Sequence, residues 1–126
     1  MRNAVMVQSA AKPGGHYSHA VIANGMVFVS GQVPRDPATG AVPGPFADQL
    51  RLAVRNLQVV LRGVGLDLSD AVKITTYLTD MTRFTEYNDI YREFFPTEPP
   101  ARTTIGCQLH GFLIEIDCIA VLPDGQ

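Results

Sequence analysis

The order of strand-like and helix-like segments constrains the fold of this chain most strongly. Apolar residues recur with helical spacing from Phe46 to Val64, with polar residues such as Gln49 on the opposite side. A second apolar stripe begins after a capping residue, Asp80 or Thr82. Two strand-like runs precede the first helix, one lies between the helices, and two follow the second helix. The predicted order is therefore β-β-α-β-α-β-β.

Turn-forming residues set the boundaries of these segments. Asn24-Gly25 lies between two apolar runs and predicts a tight hairpin, because both residues tolerate positive φ. The loop over 34–45 is rich in proline and glycine, and Pro96 ends the second helix. Residues 1–16 end in the loop-forming stretch Lys12-Pro13-Gly14-Gly15-His16, and no strand is predicted before residue 17. The predicted strands cover roughly 17–23, 26–31, 70–79, 102–108 and 112–121.

Two helices are too few to cover both faces of such a sheet. We therefore expect residues 1–126 to form a single α+β domain, with one mixed β-sheet and both helices packed on one face. Charged residues make up only 17% of the chain, against roughly 25% in an average globular protein. An oligomer in which the uncovered sheet faces meet would explain the low charge.

Composition argues against several classes of function. The net charge of −2 offers no basic field to nucleic acid, and no apolar run approaches the roughly 18 residues of a membrane span. The N-terminus lacks the apolar core of a signal peptide. Cys107 and Cys118 could form an isolated disulfide, but buried free thiols in a reducing compartment are favoured. We therefore expect a cytoplasmic protein.

Two charged residues lie at apolar strands and need an explanation. Arg102 begins one predicted strand after Pro100, and Glu115 lies inside the apolar run 113–121. Burying an isolated charge costs several kcal/mol unless the charge is paired or used. One alternative is that the two residues pair with each other or lie at the solvent edge. The other is that the guanidinium binds a carboxylate while the glutamate orients or activates a water.

Other polar residues give weaker signals. Ser30 ends a strand before a glycine, which is more typical of a local backbone hydrogen bond than of a nucleophile. Asn88 has the pattern of an ordinary surface asparagine. His16, His19 and His110 lack the spacing of a metal site, and no phosphate-binding glycine loop occurs. We therefore expect no metal.

Four stretches carry a resemblance to a known family. They are Gly15-His16-Tyr17-Ser18-His19-Ala20, Phe28-Val29-Ser30-Gly31-Gln32-Val33-Pro34, Tyr87-Asn88-Asp89-Ile90-Tyr91 with Phe94-Phe95, and Pro100-Ala101-Arg102-Thr103-Thr104 with Ile114-Glu115-Ile116. Together they resemble the RidA/YjgF family of small trimeric enamine and imine deaminases, from about Gly15 to Val121. The Ser-Gly-Gln and Pro-Ala-Arg segments are specific at this separation, whereas either alone would be weak.

The resemblance implies a fold, an assembly and a site. The fold would be that of the trimeric bacterial chorismate mutases, a homotrimer whose three sheets line a central barrel, with sites at the subunit clefts. The resemblance implies that Arg102 binds the substrate carboxylate and that Glu115 positions or activates the hydrolytic water. The family's other substrate-binding residues match Tyr17, Ser30, Gly31, Asn88 and Thr104 of this sequence.

This sequence also departs from the family pattern. The family commonly has proline at the position of His16 and glutamine at the position of His19. The segment 105–112, between Arg102 and Glu115, is about two residues shorter than is common and lacks the usual Leu-Pro turn. Because this segment borders the cleft, it leaves the substrate preference open.

The expected function is hydrolytic deamination of reactive 2-imino or 2-enamino acids, of the 2-aminoacrylate or 2-aminocrotonate type, to 2-keto acids and ammonia. Such a 2-iminobutanoate/2-iminopropanoate deaminase needs no cofactor, because an imine is already electrophilic. The alternatives are a non-catalytic regulatory trimer that binds keto acids and a pathway-specific deaminase of a larger enamine acid. A ribonuclease that inhibits translation is disfavoured, because the chain is mildly acidic and shows no basic stripe.

Overall fold

The computed structural model describes residues 1–123 of the chain. One mixed sheet in this region has the strand order β1-β2-β3-β6-β4-β5. Strands β4 and β5 are parallel, and the other neighbouring strands are antiparallel. The elements are β1 (Asn3–Val5), β2 (Ala20–Ala23), β3 (Met26–Gln32), α1 (Phe46–Gly63), β4 (Ala71–Leu78), α2 (Phe84–Phe94), β5 (Ala101–Gly106) and β6 (Ile114–Val121).

Both helices cover the same face of the sheet. Helix α1 packs against β3 and β6, and α2 packs beside α1. The Tyr87 hydroxyl on α2 donates to Thr76 Oγ1 on β4, at 2.8 Å. Thr76 shares a strand face with Ile74 and Leu78, and all three are fully buried. The α+β fold with one mixed sheet and two helices is therefore confirmed.

The hairpin and the start of α2 follow the local sequence signals. Asn24 and Gly25 have φ values of 52° and 73°, as a tight hairpin between β2 and β3 requires. The Asp80 side chain accepts from the backbone N–H of Thr82, at 3.0 Å, and caps a short 3-10 turn that leads into α2. Asp80 is thus one of the two capping residues that the sequence offers.

The sequence predicts no strand before residue 17, and the structure corrects this prediction with β1. It pairs antiparallel with β2, and the connection between them is held by His19, whose side chain is buried. The Nδ1 atom of His19 accepts from the Val7 backbone N–H at 2.8 Å, and Nε2 lies 2.8 Å from the Ala11 carbonyl oxygen. Because Nδ1 accepts, Nε2 carries the proton and donates to that carbonyl.

Two buried carboxamides on α1 tie the surrounding loops to the helix. The helical pattern places Gln49 on the exposed side, but it is buried, donates to the Pro43 carbonyl and accepts from the Leu113 N–H. Asn56 is also buried and donates to the carbonyls of Val33 and Arg35, at 2.9 and 2.8 Å. Both side chains compensate their burial with hydrogen bonds to the backbone.

The opposite sheet face has no helix over it in the described residues. It carries exposed Phe28 and half-buried Tyr77 and Asp117, with the Tyr77 hydroxyl donating to Asp117 at 2.9 Å. Cys107 and Cys118 are free thiols. Between residues 1 and 123, no helix has the length and apolar character needed to cross a membrane.

Candidate functional site

The structure collects four of the expected site residues around a bulge in β3. Val29 pairs with Cys118 and Gln32 pairs with Ile116, so β3 has one residue more than β6 over this interval. A bulge of this kind redirects side chains and is common beside active sites. Tyr17, Ser30, Gly31 and Glu115 line one cavity here, and we call them the glutamate cluster.

Gly31 is a glycine because the Glu115 carboxylate occupies the space of a side chain. A Cβ added to Gly31 would overlap Oε2 of Glu115 and lie 2.9 Å from its Cδ atom. The carboxylate therefore packs directly against the backbone of the bulge. This close approach fixes where Glu115 presents its oxygens.

The environment of Glu115 favours its protonated form. Burial raises the pKa of this half-buried carboxyl, and the neighbouring Asp117 carboxylate raises it further. No side chain among residues 1–123 donates a hydrogen bond to it. Burial also raises the pKa of Asp117, although the Tyr77 hydroxyl opposes this. Glu115 is thus a carboxyl with free oxygens and an affinity for protons, as general acid–base chemistry needs.

Tyr17 and Ser30 are held by backbone groups. The Tyr17 hydroxyl accepts from the Gly14 N–H at 3.0 Å, while its side chain remains largely exposed. The Ser30 hydroxyl donates to the Ser18 carbonyl at 2.6 Å. The Ser30 proton is committed to this bond, so the structure agrees with the interpretation of a local backbone partner. Its lone pairs remain free to accept.

Arg102 is supported by aromatic rings instead of by a carboxylate. Its guanidinium carbon lies 4.6 Å from the ring centroid of Tyr91, 5.0 Å from that of Tyr87 and 5.6 Å from that of Phe84. Among residues 1–123 it forms no salt bridge. Asn88 lines the same cavity as Arg102. The planar fork of donors is therefore positioned and free to bind an anion.

Hydrogen bonds between hydroxyl groups hold the Tyr87 ring in place beneath Arg102. Thr104 Oγ1 donates to the Tyr87 hydroxyl at 3.3 Å, and that hydroxyl donates to Thr76. We call Asn88, Arg102 and Thr104 the arginine cluster. The Tyr91 hydroxyl is buried without a hydrogen-bond partner among residues 1–123, and burial raises its pKa. The apolar stripe of the second helix suggests only a core role for Tyr87 and Tyr91. Their helical spacing, on a helix that precedes the strand of Arg102, is the one feature of the sequence that could have indicated their contact with the guanidinium.

Within one chain, Arg102 and Glu115 do not meet. Arg102 pairs with Ile74 on β4, and Glu115 pairs with Tyr77 on the same strand. Residues three apart on a strand point to opposite faces, so the two charges lie on opposite sides of the sheet. The alternative that they neutralise each other within the chain is therefore wrong. The expected site residues form two separate clusters.

The sequence did not single out the basic residues beside Glu115. A cavity of about 350 Å³ adjoins the glutamate cluster and is lined by Lys12, Arg35 and His110, among others. These residues come from three separate loops, so only the fold brings them together. No group of three or more His, Cys, Asp or Glu side chains in the described part of the chain could hold a metal ion.

Comparison with known proteins identifies related sequences along the whole fold. A family model described as endoribonuclease L-PSP matches residues 7–122. A RutC family protein of Pyrococcus horikoshii is 38% identical over 123 residues, covering 95% of this chain and 98% of that protein. An Escherichia coli protein named reactive intermediate deaminase TdcF is 33% identical over 126 residues, covering 96% of this chain and 98% of TdcF.

Solved structures agree with this relationship. A Thermotoga maritima protein named as an endoribonuclease superposes with a TM-score of 0.91 at 37% identity, covering 98% of this chain and 99% of that chain. The Escherichia coli TdcF structure with bound serine gives a TM-score of 0.86 at 32% identity, covering 96% and 99%. With its fold and nearly its whole length matched, this chain belongs to the RidA/YjgF family, whose family model is described as endoribonuclease L-PSP.

Proposed function

We propose that this protein is a hydrolytic deaminase of 2-imino and 2-enamino acids, which it converts to 2-keto acids and ammonia. The observation that carries the proposal is the pairing of two kinds of free charge. Arg102 is an arginine on an aromatic support with no carboxylate partner in residues 1–123. Glu115 is a carboxyl with free oxygens and a raised pKa beside an open cavity.

The proposed reaction uses the two residues in turn. The substrate carboxylate binds the Arg102 fork. Glu115 holds a water and accepts its proton as the water oxygen adds to the C=N carbon, while the imine nitrogen takes up a proton from solvent. Glu115 then returns its proton to the amine of the carbinolamine. The C–N bond breaks as the carbinol hydroxyl loses its proton to solvent and becomes the keto oxygen, and ammonia leaves with the 2-keto acid. Asn88, Thr104, Tyr17, Ser30 and the Gly31 backbone complete the contacts to the substrate in this proposal.

Both residues can act on one substrate only if two copies of the chain combine. The clusters lie on opposite sheet faces, and Arg102 belongs to β5, an edge strand of the described sheet. We therefore place the site in a cleft of a cytoplasmic homotrimer, where the arginine cluster of one copy faces the glutamate cluster of the next. The sheet faces without helices would line the central barrel. The proposed trimer explains the low charge content of the chain, 17%.

The relatives support this chemistry. TdcF is named a reactive intermediate deaminase, and it has been crystallised with bound serine, which carries both a carboxylate and an amine. The proposed substrates share that arrangement of groups around one carbon atom. The relationship supports the reaction class, and the unpaired Arg102 supports a carboxylate ligand.

The test generates 2-aminocrotonate with a pyridoxal-phosphate threonine dehydratase and follows its conversion to 2-ketobutyrate. Arg102→Ala should lose about 100-fold in kcat/KM, because two charge-assisted hydrogen bonds disappear. Arg102→Lys should also lose most activity, since an ammonium cannot reproduce the fork. Arg55→Ala is the matched control, because Arg55 is exposed on α1 and has no salt bridge within residues 1–123. Equal rates for wild type and Arg102→Ala would disprove the proposal.

A non-catalytic trimer that binds keto acids is the second candidate, since the unpaired Arg102 would serve binding alone equally well. Calorimetry with 2-ketobutyrate separates the two. Binding that depends on Arg102, without turnover of 2-aminocrotonate, would favour the regulatory function. Because the family model is described as an endoribonuclease, the protein should also be assayed for RNA cleavage. We expect no RNA cleavage, because the net charge of −2 provides little attraction for a phosphate backbone.

A further inference from the structure

The cavity that adjoins Glu115 has an unusual balance of charge. It is bounded by the loop over 11–15, by residues 31–35 and by the shortened segment that precedes β6. Its basic lining residues are Lys12, Arg35 and His110, and Glu115 is its acidic lining residue. We call this space the basic cavity. His19 also lines the cavity, but both of its ring nitrogens are already used by backbone groups of Val7 and Ala11.

Arg35 is held in place from two directions. Its backbone carbonyl accepts a hydrogen bond from the buried Asn56 carboxamide on α1, at 2.8 Å. Its Nη1 atom donates to the Gly40 carbonyl at 3.2 Å, and its guanidinium carbon lies 5.2 Å from the ring centroid of Phe112. A guanidinium fixed in this way loses little conformational entropy when it binds an anion.

Two basic side chains of the cavity have no acidic partner in the part of the chain that the structure describes. Neither Arg35 nor Lys12 forms a salt bridge within residues 1–123, whereas Arg51, Arg62 and Arg83 each pair with a carboxylate. Arg35 thus resembles Arg102, because each guanidinium lies against one or more aromatic side chains and neither pairs with a carboxylate of residues 1–123. The parallel points to the same kind of ligand group at both positions.

We propose that the basic cavity binds a second carboxylate of the substrate, so that the substrate is a 2-imino or 2-enamino dicarboxylate. This inference rests on the proposed function, because Glu115 and Gly31 line both the basic cavity and the space next to Ser30. A substrate whose C=N carbon lies beside Glu115 therefore extends its far end towards Arg35 and Lys12. His110, in the segment where the chain departs from its relatives, adds a third donor.

The experiment compares two imines that differ in one carboxylate. A flavin-dependent L-aspartate oxidase generates 2-iminosuccinate, and an L-amino-acid oxidase acting on alanine generates 2-iminopropanoate. Enzymatic acceleration over spontaneous hydrolysis is followed as oxaloacetate or pyruvate formation. We expect wild type to have the higher kcat/KM for 2-iminosuccinate. The ratio of the two kcat/KM values should fall about tenfold in Arg35→Met and in Lys12→Met, from the loss of one charged contact each.

Arg55→Met is the control and should leave this ratio unchanged, because Arg55 lies outside the cavity on α1. Thermal unfolding verifies that each variant is folded. The inference is overturned if wild type prefers 2-iminopropanoate, or if Arg35→Met and Lys12→Met leave the ratio at its wild-type value. Hydrolysis of 2-iminopropanoate in that case would leave the proposed function intact.

A binding measurement separates the two proposals if neither imine is hydrolysed. Calorimetry compares 2-oxoglutarate with 2-oxobutyrate on wild type and Arg35→Met. Binding of 2-oxoglutarate about tenfold tighter in wild type, with equal affinities in the variant, would support the basic cavity while the deaminase proposal fails. Equal affinities in wild type would overturn the basic cavity as a carboxylate site.

Discussion

Gly31→Ala tests whether the position of the Glu115 carboxylate matters for activity. The added Cβ would lie 2.9 Å from Cδ of Glu115, whereas carbon atoms in contact are normally about 3.5–4.0 Å apart. The carboxylate must therefore move by roughly 1 Å. Gly31 does not have a left-handed φ, so alanine itself introduces no backbone strain. Because the atoms that must move end a side chain, we expect a stability change within about 1 kcal/mol.

Activity should respond much more strongly than stability. A displacement of about 1 Å at a catalytic group can cost roughly 100-fold in rate. We therefore expect Gly31→Ala to lose about 100-fold in kcat in the 2-aminocrotonate assay, with nearly unchanged thermal unfolding. Gly44→Ala is the matched control, because its added Cβ would have no heavy atom of the described residues within 4 Å and its φ is not left-handed.

The effect of Gly31→Ala should also depend on Glu115. In a Glu115→Ala background the added methyl group meets no carboxylate, so Gly31→Ala should cause little further loss. Full activity of folded Gly31→Ala would refute the reasoning, because the carboxylate could then move without consequence. Equal losses in both backgrounds would show that Gly31 acts through some other contact.

Three further expectations concern stability, measured by thermal or urea unfolding. His19→Ala should lower the free energy of unfolding by about 1–3 kcal/mol, because it leaves a buried backbone N–H unpaired. In His19→Gln the carboxamide can both accept and donate, so the loss of stability should be smaller. Equal losses in the two variants would contradict this expectation. Tyr91→Phe removes a buried hydroxyl that has no partner within residues 1–123, so the variant should be as stable as wild type or more stable. Tyr87→Phe should lower the free energy of unfolding by about 1 kcal/mol or more through the lost bond to Thr76. The reverse order of stabilities would argue against the hydroxyl chain. Glu115→Gln should raise Tm at neutral pH and lose this gain as the pH falls. A carboxyl whose pKa is raised by folding stabilises the folded state below its unfolded pKa. It loses this contribution as the pH rises through its folded pKa, and the neutral glutamine does not. A Tm gain that grows towards acid pH would give the opposite sign.

Local signals in the sequence were sufficient for the elements but not for their long-range contacts. The helical spacing of apolar residues found both helices, and Asn24-Gly25 found the hairpin, because each depends on neighbouring residues. Strand β1 has only three residues, and the segment that follows it is anchored by the bond from the Val7 N–H to His19, twelve positions further on, which no local pattern reveals. Gln49 looked exposed because its partners are backbone groups of the loop before α1 and of Leu113, 64 positions further along the chain.

The candidate site also divides into residues that the sequence singles out and contacts that only the fold determines. Charge in an apolar context was enough to single out Arg102 and Glu115, since burying a lone charge is costly in any fold. Their relation to each other depends on register, because each pairs with a different residue of β4 and a shift of one position would move either side chain to the other face. Because the two side chains lie on opposite faces, they cannot form an ion pair within one chain and belong to two separate clusters. In the proposed trimer, a ligand or a second copy of the chain would partner each of these two side chains, neither of which forms a salt bridge within residues 1–123.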